Sequence, residues 1–160
     1  MRIGITGGPR CAKSTLAREL SGGTVPIFCT DPDELVKDHE DGVGYVPTTH
    51  QEWSKASQYV AEVFLQAPGP WILDGVGLPR ALRKWRDAHP GEKPPLDQLI
   101  VLMEPVAPVK PGQLAMAKGV KTVLDELKPW LGAIIETRGR PKDRNAPSAN
   151  PLGDILIFLQ

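Results

Sequence analysis

A glycine-rich turn near the N-terminus separates a short apolar run from a segment of helix-forming residues. Residues 2–6, RIGIT, are followed by GGPRCA, and apolar Leu16, Ala17 and Leu20 then recur within KSTLAREL. An apolar run, a glycine turn and a helix-forming segment predict a strand, a loop and a helix in succession. This order is the first unit of a fold in which strands and helices alternate.

The remainder of the chain continues the alternation. Further apolar runs typical of strands occupy residues 25–29, 71–74, 96–105 and 133–136, and helical periodicity occupies residues 51–66, 78–89 and 112–131. Residues 38–50 mix charges, glycine and proline without a period, which predicts a loop. We therefore expect an α/β fold with a five-stranded parallel sheet flanked by helices.

Length and composition limit the kinds of protein that this chain can be. A chain of 160 residues predicts one domain, which we place at residues 1–137, with residues 138–160 forming a basic, proline-rich loop and an apolar edge strand of the same domain. The 19 basic and 19 acidic residues balance, which is not typical of non-specific nucleic-acid binders. Two cysteines and no long apolar segment predict a cytoplasmic protein, in the host cytoplasm if the source is viral, with no membrane partner.

The glycine turn resembles a phosphate-binding loop. The pattern G-x-x-x-x-G-K-[ST] is matched at Gly7, Lys13 and Ser14 and broken at Ala12, where we expect the right-handed dihedrals that alanine tolerates. Backbone N–H groups, a lysine and a magnesium-binding hydroxyl are what ATP phosphates require. The predicted nucleotide-binding residues are Gly7, Gly8, Pro9, Arg10, Cys11, Ala12, Lys13, Ser14 and Thr15. The alternative is a purely structural turn.

Aspartates follow two of the predicted strands. Asp74 ends the apolar run WILD, where it can hold Mg²⁺ together with Ser14, or can simply close the strand as a turn residue. Asp31 and Asp33 follow the second strand, and ligands of parallel sheets lie outside the carboxyl ends of strands. Asp31 can therefore act as general base toward a hydroxyl, with Asp33 facing the substrate, or either residue can cap a short helix.

Basic residues and one tryptophan complete the candidate site. Arg80 and Arg83 lie three residues apart near the start of a predicted helix, which predicts either a phosphate-recognising face or a solvated one. Arg138 follows the last predicted strand, where it can stack on the base of ATP. Trp53 can stack on a base or belong to the core.

The sequence also resembles the small P-loop kinases of the nucleotide-kinase type. An aspartate pair spaced like Asp31 and Asp33 serves the acceptor hydroxyl and magnesium in shikimate kinases and related enzymes. The segment LDGVGLPR is similar to the L-D-G-F-P-R of adenylate kinases, with two extra residues before Pro79. The resemblance implies phosphate binding by Arg80. In nucleotide kinases a lid between the fourth strand and the long helix carries arginines, and this chain has no arginine there.

The segments DGVGLPRALRKW and GQLAMAKGVKTVL also look like bacteriophage P-loop kinases that phosphorylate 5-hydroxymethyluracil within DNA. That resemblance implies ATP and Mg²⁺ as cofactors and a hydroxyl-bearing acceptor in DNA, flipped out of the duplex. The implied catalytic residues are Lys13, Asp31 and Arg80, with Arg83 on the substrate. A nucleoside, nucleotide or small-metabolite kinase, and an ATP-binding switch without an acceptor, are the alternatives.

Overall fold

A computed structural model describes residues 1–32, 42–47 and 52–138 of the chain. The strands are β1 (Arg2–Gly7), β2 (Ile27–Pro32), β3 (Val43–Val46), β4 (Trp71–Asp74), β5 (Gln98–Leu102) and β6 (Ile135–Arg138). The helices are α1 (Lys13–Ser21), α2 (Trp53–Tyr59), α3 (Leu78–Ala88) and α4 (Pro111–Leu131), and α2 continues as a π-helical segment, Val60–Phe64.

The six strands form one sheet in the order β3-β2-β4-β1-β5-β6, and every neighbouring pair is parallel. The predicted α/β class and the parallel sheet flanked by helices are confirmed, whereas the predicted number of five strands is wrong. Because the strands are parallel, their carboxyl ends all lie at one edge of the sheet, where the last residues of β1, β2 and β4 come together.

The additional strand is β3, which lies within residues 38–50, where we expected a loop. β3 is short and pairs with β2 alone, so it carries too few residues to produce a period in the sequence. Gly44 allows the close approach of the two strands, since a Cβ atom there would lie 2.9 Å from the Phe28 ring. The glycines and proline around a short edge strand of this kind therefore make it difficult to predict from the sequence.

Helices cover both faces of the sheet, and the alternation of side chains along the strands divides the core in two. The larger cluster packs α2, α3 and α4 against one face, and its members in the central strands are Trp71, Leu73, Leu99 and Val101. The smaller cluster lies under α1 and contains Ile5, Cys11, Ala17, Ile72, Ile100 and Leu102. The sheet is therefore buried on both faces, as its uninterrupted apolar strands predicted.

β2 extends further along the chain than we predicted, since it includes Asp31 and Pro32 instead of ending at Cys29. Asp31 is thus a residue of the strand. The short helix expected after Asp33 lies outside the described residues, and so does the edge strand expected at residues 154–160. Of the predicted basic segment that begins at Arg138, only that first residue is described, at the end of β6.

Candidate functional site

The loop between β1 and α1 begins at a glycine that no other residue can replace without a backbone shift. Gly7 has a φ of 144°, and a Cβ atom there would lie 1.7 Å from the carbonyl oxygen of Leu102 in β5. The next residue, Gly8, donates its N–H to that same oxygen at 3.2 Å. The first two glycines of the motif therefore bring the loop directly against the neighbouring strand.

Two residues other than glycine have left-handed backbone in this loop, Arg10 with a φ of 59° and Ala12 with a φ of 61°. The expectation of right-handed dihedrals at Ala12 is wrong. Ala12 is the N-cap of α1, and its carbonyl accepts the N–H of Leu16 at 3.1 Å. Left-handed backbone costs an L-residue about 1–2 kcal/mol, and such turns form concavities of N–H groups that bind anions.

The loop is also tied to the segment after β5. The N–H of Val106 donates to the carbonyl oxygen of Arg10 at 2.8 Å. Together with the bond from Gly8 to Leu102, this contact fixes both ends of the turn to a segment remote in sequence. The loop is thus held by the fold and not by its own hydrogen bonds alone.

Lys13 is the first residue of α1, and its ammonium group folds back over the loop. Its Nζ donates to the carbonyl oxygen of Gly8 at 2.7 Å. Burial lowers the pKa of Lys13, while the nearby charges of Asp31 and Asp74 act in the opposite direction. A partly desolvated cation therefore lies beside backbone N–H groups, as anion binding requires.

The two carboxylates are brought together by the parallel pairing of β2 and β4, in which Cys29 is opposite Asp74. The Asp74 residue is only 3% exposed. Burial raises the pKa of the Asp74 carboxyl, whereas hydrogen bonds with the side chains of Cys29 and Ser14 and the charge of Lys13 lower it. Burial likewise raises the pKa of the Asp31 carboxyl, against the charge of Lys13.

These groups line one cavity of about 440 Å³, which we call the loop cavity. Its lining residues are Pro9, Arg10, Cys11, Ala12, Lys13, Ser14, Thr15, Cys29, Asp31, Trp53, Asp74, Gly75, Val76, Gln113 and Met116. The structure therefore brings together residues 9–15 of the predicted loop with the predicted carboxylates Asp31 and Asp74. Gly7 and Gly8 shape the loop without lining the cavity.

The residues in the loop cavity fit a magnesium ion with a nucleotide. Ser14 and Asp74 offer hard oxygen ligands, which Mg²⁺ prefers, and both line the cavity. Burial raises the pKa of the Asp31 and Asp74 carboxyls, and a bound cation would favour their charged forms. Within the described ranges, no group of three or more His, Cys, Asp or Glu residues could hold a metal by itself.

A second cavity of about 370 Å³ lies between α2, α3 and α4, and we call it the helix cavity. Its lining residues are Thr30, Trp53, Ala56, Ser57, Val76, Gly77, Pro79, Arg80, Gly112, Ala115, Met116, Gly119, Val120 and Val123. Trp53, Val76 and Met116 line both cavities, so the two spaces adjoin. This cavity was not predicted from the sequence, in which two glycines within one predicted helix are the signal that could have indicated it.

The turn from β4 to α3 positions Arg80 in the wall of the helix cavity. Gly75 has a φ of 143°, and a Cβ atom there would lie 1.8 Å from Oγ1 of Thr30. The N–H of Gly77 donates to that oxygen at 3.2 Å, and Oγ1 of Thr6 donates to the carbonyl of Gly75 at 2.9 Å. Arg80 is exposed and forms no hydrogen bond or ion pair within the described residues.

Arg83 does not line either cavity. Its Nη1 donates to Oε2 of Glu126 in α4 at 3.2 Å, and Arg86 lies 4.0 Å from the same carboxylate. Nζ of Lys84 donates to the carbonyl oxygen of Ser54 in α2 at 2.6 Å. The basic residues that follow Arg80 on α3 thus bind the neighbouring helices.

The remaining predicted residues are further from the cavities or outside the described ranges. Arg138 is opposite Leu102 in the β5–β6 register, at the same edge of the sheet as the loop, and its Nε donates to Oε1 of Glu136 at 2.6 Å. It lines neither cavity. Asp33 lies outside the described residues.

Comparison with known proteins finds no family model, no curated protein and no solved structure that matches the chain. In the described part of the chain, no helix is long and apolar enough to cross a membrane.

Proposed function

We propose that the protein has a P-loop kinase fold and transfers a phosphoryl group from ATP to a hydroxyl group. The observation that carries the proposal is the loop cavity, where Lys13, Ser14, Asp31 and Asp74 line one space beside a loop of left-handed backbone. Each of these four side chains has a role in phosphoryl transfer, and the cavity opens at the edge where parallel sheets bind ligands.

The chain's own groups would neutralise and position the phosphates. Loop N–H groups and Lys13 would bind the phosphate oxygens, and Ser14 and Asp74 would hold Mg²⁺. When bound, the magnesium ion neutralises charge on the transferring group. The burial of Asp74 strengthens its electrostatic interactions, because little water screens that carboxylate.

Asp31 would accept the proton of the attacking hydroxyl. Its carboxyl lines the loop cavity, and the neighbouring Thr30 lines the helix cavity, so β2 ends between the two spaces. A raised pKa makes a carboxylate a stronger base once it is ionised. The helix cavity would bind the acceptor, with Arg80 as its cation.

The best candidate acceptor is the hydroxymethyl group of 5-hydroxymethyluracil in bacteriophage DNA, during thymine hypermodification. Its support is the resemblance of two segments, the exposed Trp53 that lines both cavities, and Arg80, which has no hydrogen-bond or ion-pair partner among the described residues. The second candidate is a kinase for a free nucleoside, nucleotide or small metabolite. The pairing of Arg83 and Arg86 with Glu126 favours it, since this pairing removes positive charge from α3.

A test of these acceptors uses labelled ATP with nucleosides, monophosphates, sugar acids, normal DNA and DNA that contains 5-hydroxymethyluracil. Label in DNA only when the hydroxymethyl group is present supports the first candidate, and DNA binding should then weaken steeply with salt. Label in a small molecule supports the second. Release of phosphate to water alone would show an ATP-binding switch or ATPase and contradict the kinase proposal.

The variant Asp31→Asn tests the proposed base. We expect transfer to fall by about 10²-fold or more while ATP affinity stays within a few-fold, because an amide cannot accept the proton. Asp97→Asn is the matched control, since Asp97 lies on the surface and contacts Arg2. Undiminished ATP turnover in Asp31→Asn would favour an ATPase without an acceptor.

A further inference from the structure

Helix α4 contains two glycines that no contact within the described part of the chain requires. A Cβ atom at Gly112 or Gly119 would meet no described atom within 4 Å, and neither residue has left-handed backbone. Glycine also lowers the stability of a helix interior relative to alanine. Gly119, in the interior of α4, therefore lowers the stability of the helix without a return in packing or backbone geometry, whereas Gly112 lies in its first turn.

Both glycines face the helix cavity. They are separated by two helical turns, so they lie on one face of α4, and Ala115 and Met116 lie between them on the same wall. The missing side chains add to the open space of the cavity. A residue of ordinary size at Gly119 would extend into that space.

The opposite wall is formed by Trp53 and Ala56 of α2 and by Val76 and Pro79 at the start of α3. Trp53 is 41% exposed, although it is a large apolar residue. Its neighbour across the mouth of the cavity, Met116, is 40% exposed. Exposed apolar side chains around a cavity are typical of ligand-binding sites.

The polar groups in these walls are already partly bonded. The hydroxyl of Ser57 donates to the carbonyl of Ser54 at 3.0 Å, and that of Thr30 accepts the N–H of Gly77. Among the described residues that line the cavity, Arg80 is the single charged side chain. An open-chain polyol or a sugar acid would therefore leave most of its hydroxyl groups without partners in this space.

We propose that α4 is the size-selecting wall of the acceptor site and that Gly112 and Gly119 leave room for a flat ring. The acceptors it selects are alcohols attached to an uncharged planar ring, which packs over α4 and against Trp53. Selection of turnover rests on the proposed kinase function, whereas binding of the ring does not.

The test compares Gly119→Val and Gly119→Ala with Lys118→Val, a change on the exposed side of the same helix. The ring probe is 5-hydroxymethyl-2′-deoxyuridine and the polyol probe is gluconate, and binding is followed by tryptophan fluorescence, with Trp53→Phe identifying the signal. We expect Gly119→Val to weaken binding of the ring probe at least tenfold, while Lys118→Val leaves it unchanged. Gluconate should bind the unaltered protein at least tenfold more weakly than the ring probe.

Gly119→Ala separates the site from the stability of the helix. Alanine should raise the melting temperature because of its higher helix propensity, and its methyl group should weaken binding of the ring probe by a few-fold. A glycine with a merely structural role would not give opposite changes in stability and affinity. Equal ring binding in Gly119→Val, failure of the unaltered protein to bind the ring probe, or equal binding of gluconate would each overturn the proposal.

Phosphoryl transfer, measured on the same variants together with binding of the ring probe, separates this proposal from the proposed function. If the protein transfers no phosphoryl group to any acceptor, but Gly119→Val still weakens binding of the ring probe, the proposed kinase function is wrong and the size-selecting role of α4 is supported. If phosphoryl transfer occurs and Gly119→Val retains its preference among acceptors, the wall fails and the kinase function stands.

Discussion

Glycine is used in opposite ways in the two cavities. At the loop cavity, only glycine fits at positions 7 and 75, because a Cβ atom on Gly7 or Gly75 would lie within 2 Å of a neighbouring atom. At the helix cavity, Gly112 and Gly119 face open space. The first pair is needed to build the protein, whereas the second pair leaves space in the cavity and is not required by the fold.

The difference shows what kind of constraint each cavity is under. The loop cavity is charged, and its shape depends on strand contacts that tolerate almost no change. The helix cavity is mostly apolar, and its volume depends on side chains of three separate helices. Substitutions in the first should therefore cost folding or chemistry, and substitutions in the second should alter selectivity.

The largest expected effect is that of Gly7→Ala. The added methyl group overlaps the carbonyl of Leu102, a backbone atom that cannot turn away, so we expect a loss of more than about 4 kcal/mol in the free energy of unfolding. Gly22→Ala is the control, because Gly22 also has positive φ but open space around it. Its cost should be only about 1–2 kcal/mol. Urea denaturation of both variants measures the contrast, and equal losses would contradict it.

Lys13→Met is expected to affect chemistry and not folding. Removing the ammonium group should lower phosphoryl transfer by about 10²- to 10³-fold, which is typical for one electrostatic group in an active site. The unfolding free energy should not fall, because the charge is buried and its pKa is lowered by burial. Lys55→Met, on the exposed side of α2, should leave both quantities unchanged. Transfer that survives in Lys13→Met would contradict the assignment.

The free energy of unfolding should depend on pH through the buried carboxyl group of Asp74. Because burial raises the pKa of Asp74, the folded protein binds its proton more tightly than the unfolded chain. The resulting stabilisation is full below the unfolded pKa of about 4 and is lost as the pH rises through the folded value. The charge of Lys13 opposes this shift without reversing it.

The measurement for Asp74 compares the protein with Asp74→Asn in metal-free buffer. The amide resembles the protonated acid, so the variant should be the more stable one at pH 7–8, and the difference should shrink as the pH falls toward 4. Magnesium with ATP should stabilise only the unaltered protein. A difference that grows on acidification would show that the pKa of Asp74 is lowered instead.

The smallest expected effect is that of Ala12→Gly. Glycine relieves the left-handed strain but loses more backbone entropy on folding, so we expect a net gain of about 0.5 kcal/mol in stability. ATP affinity should change little, since the loop already has the required shape. Ala17→Gly is the control within right-handed helix and should lose about 1 kcal/mol or more. A loss in both variants would contradict the assigned strain.

Much of the loop cavity could be predicted from the sequence. The strand, the glycine turn and the helix are local features, and the parallel sheet then places the ends of β2 and β4 beside the loop. Asp31 and Asp74 could be located for this reason alone. The dihedrals of Ala12 could not, because they depend on the way the loop is held against β5.

The helix cavity could not be predicted from the sequence, for a different reason. It is formed by α2, α3 and α4, and the periodicity of each helix shows only which face is buried and not which helices separate. The same limit applies to Arg83, whose partner Glu126 is on a helix that the sequence does not place nearby. β3 was missed because an edge strand of four residues has almost no pattern of its own.

The hydrogen bond from the N–H of Val106 to the carbonyl of Arg10 connects the segment after β5 to the loop between β1 and α1. A short connection joins Val106 to the first residue of α4, so this one bond links Arg10 to the helix that bounds the helix cavity. We therefore expect a displacement of α4 to shift Arg10 through this connection.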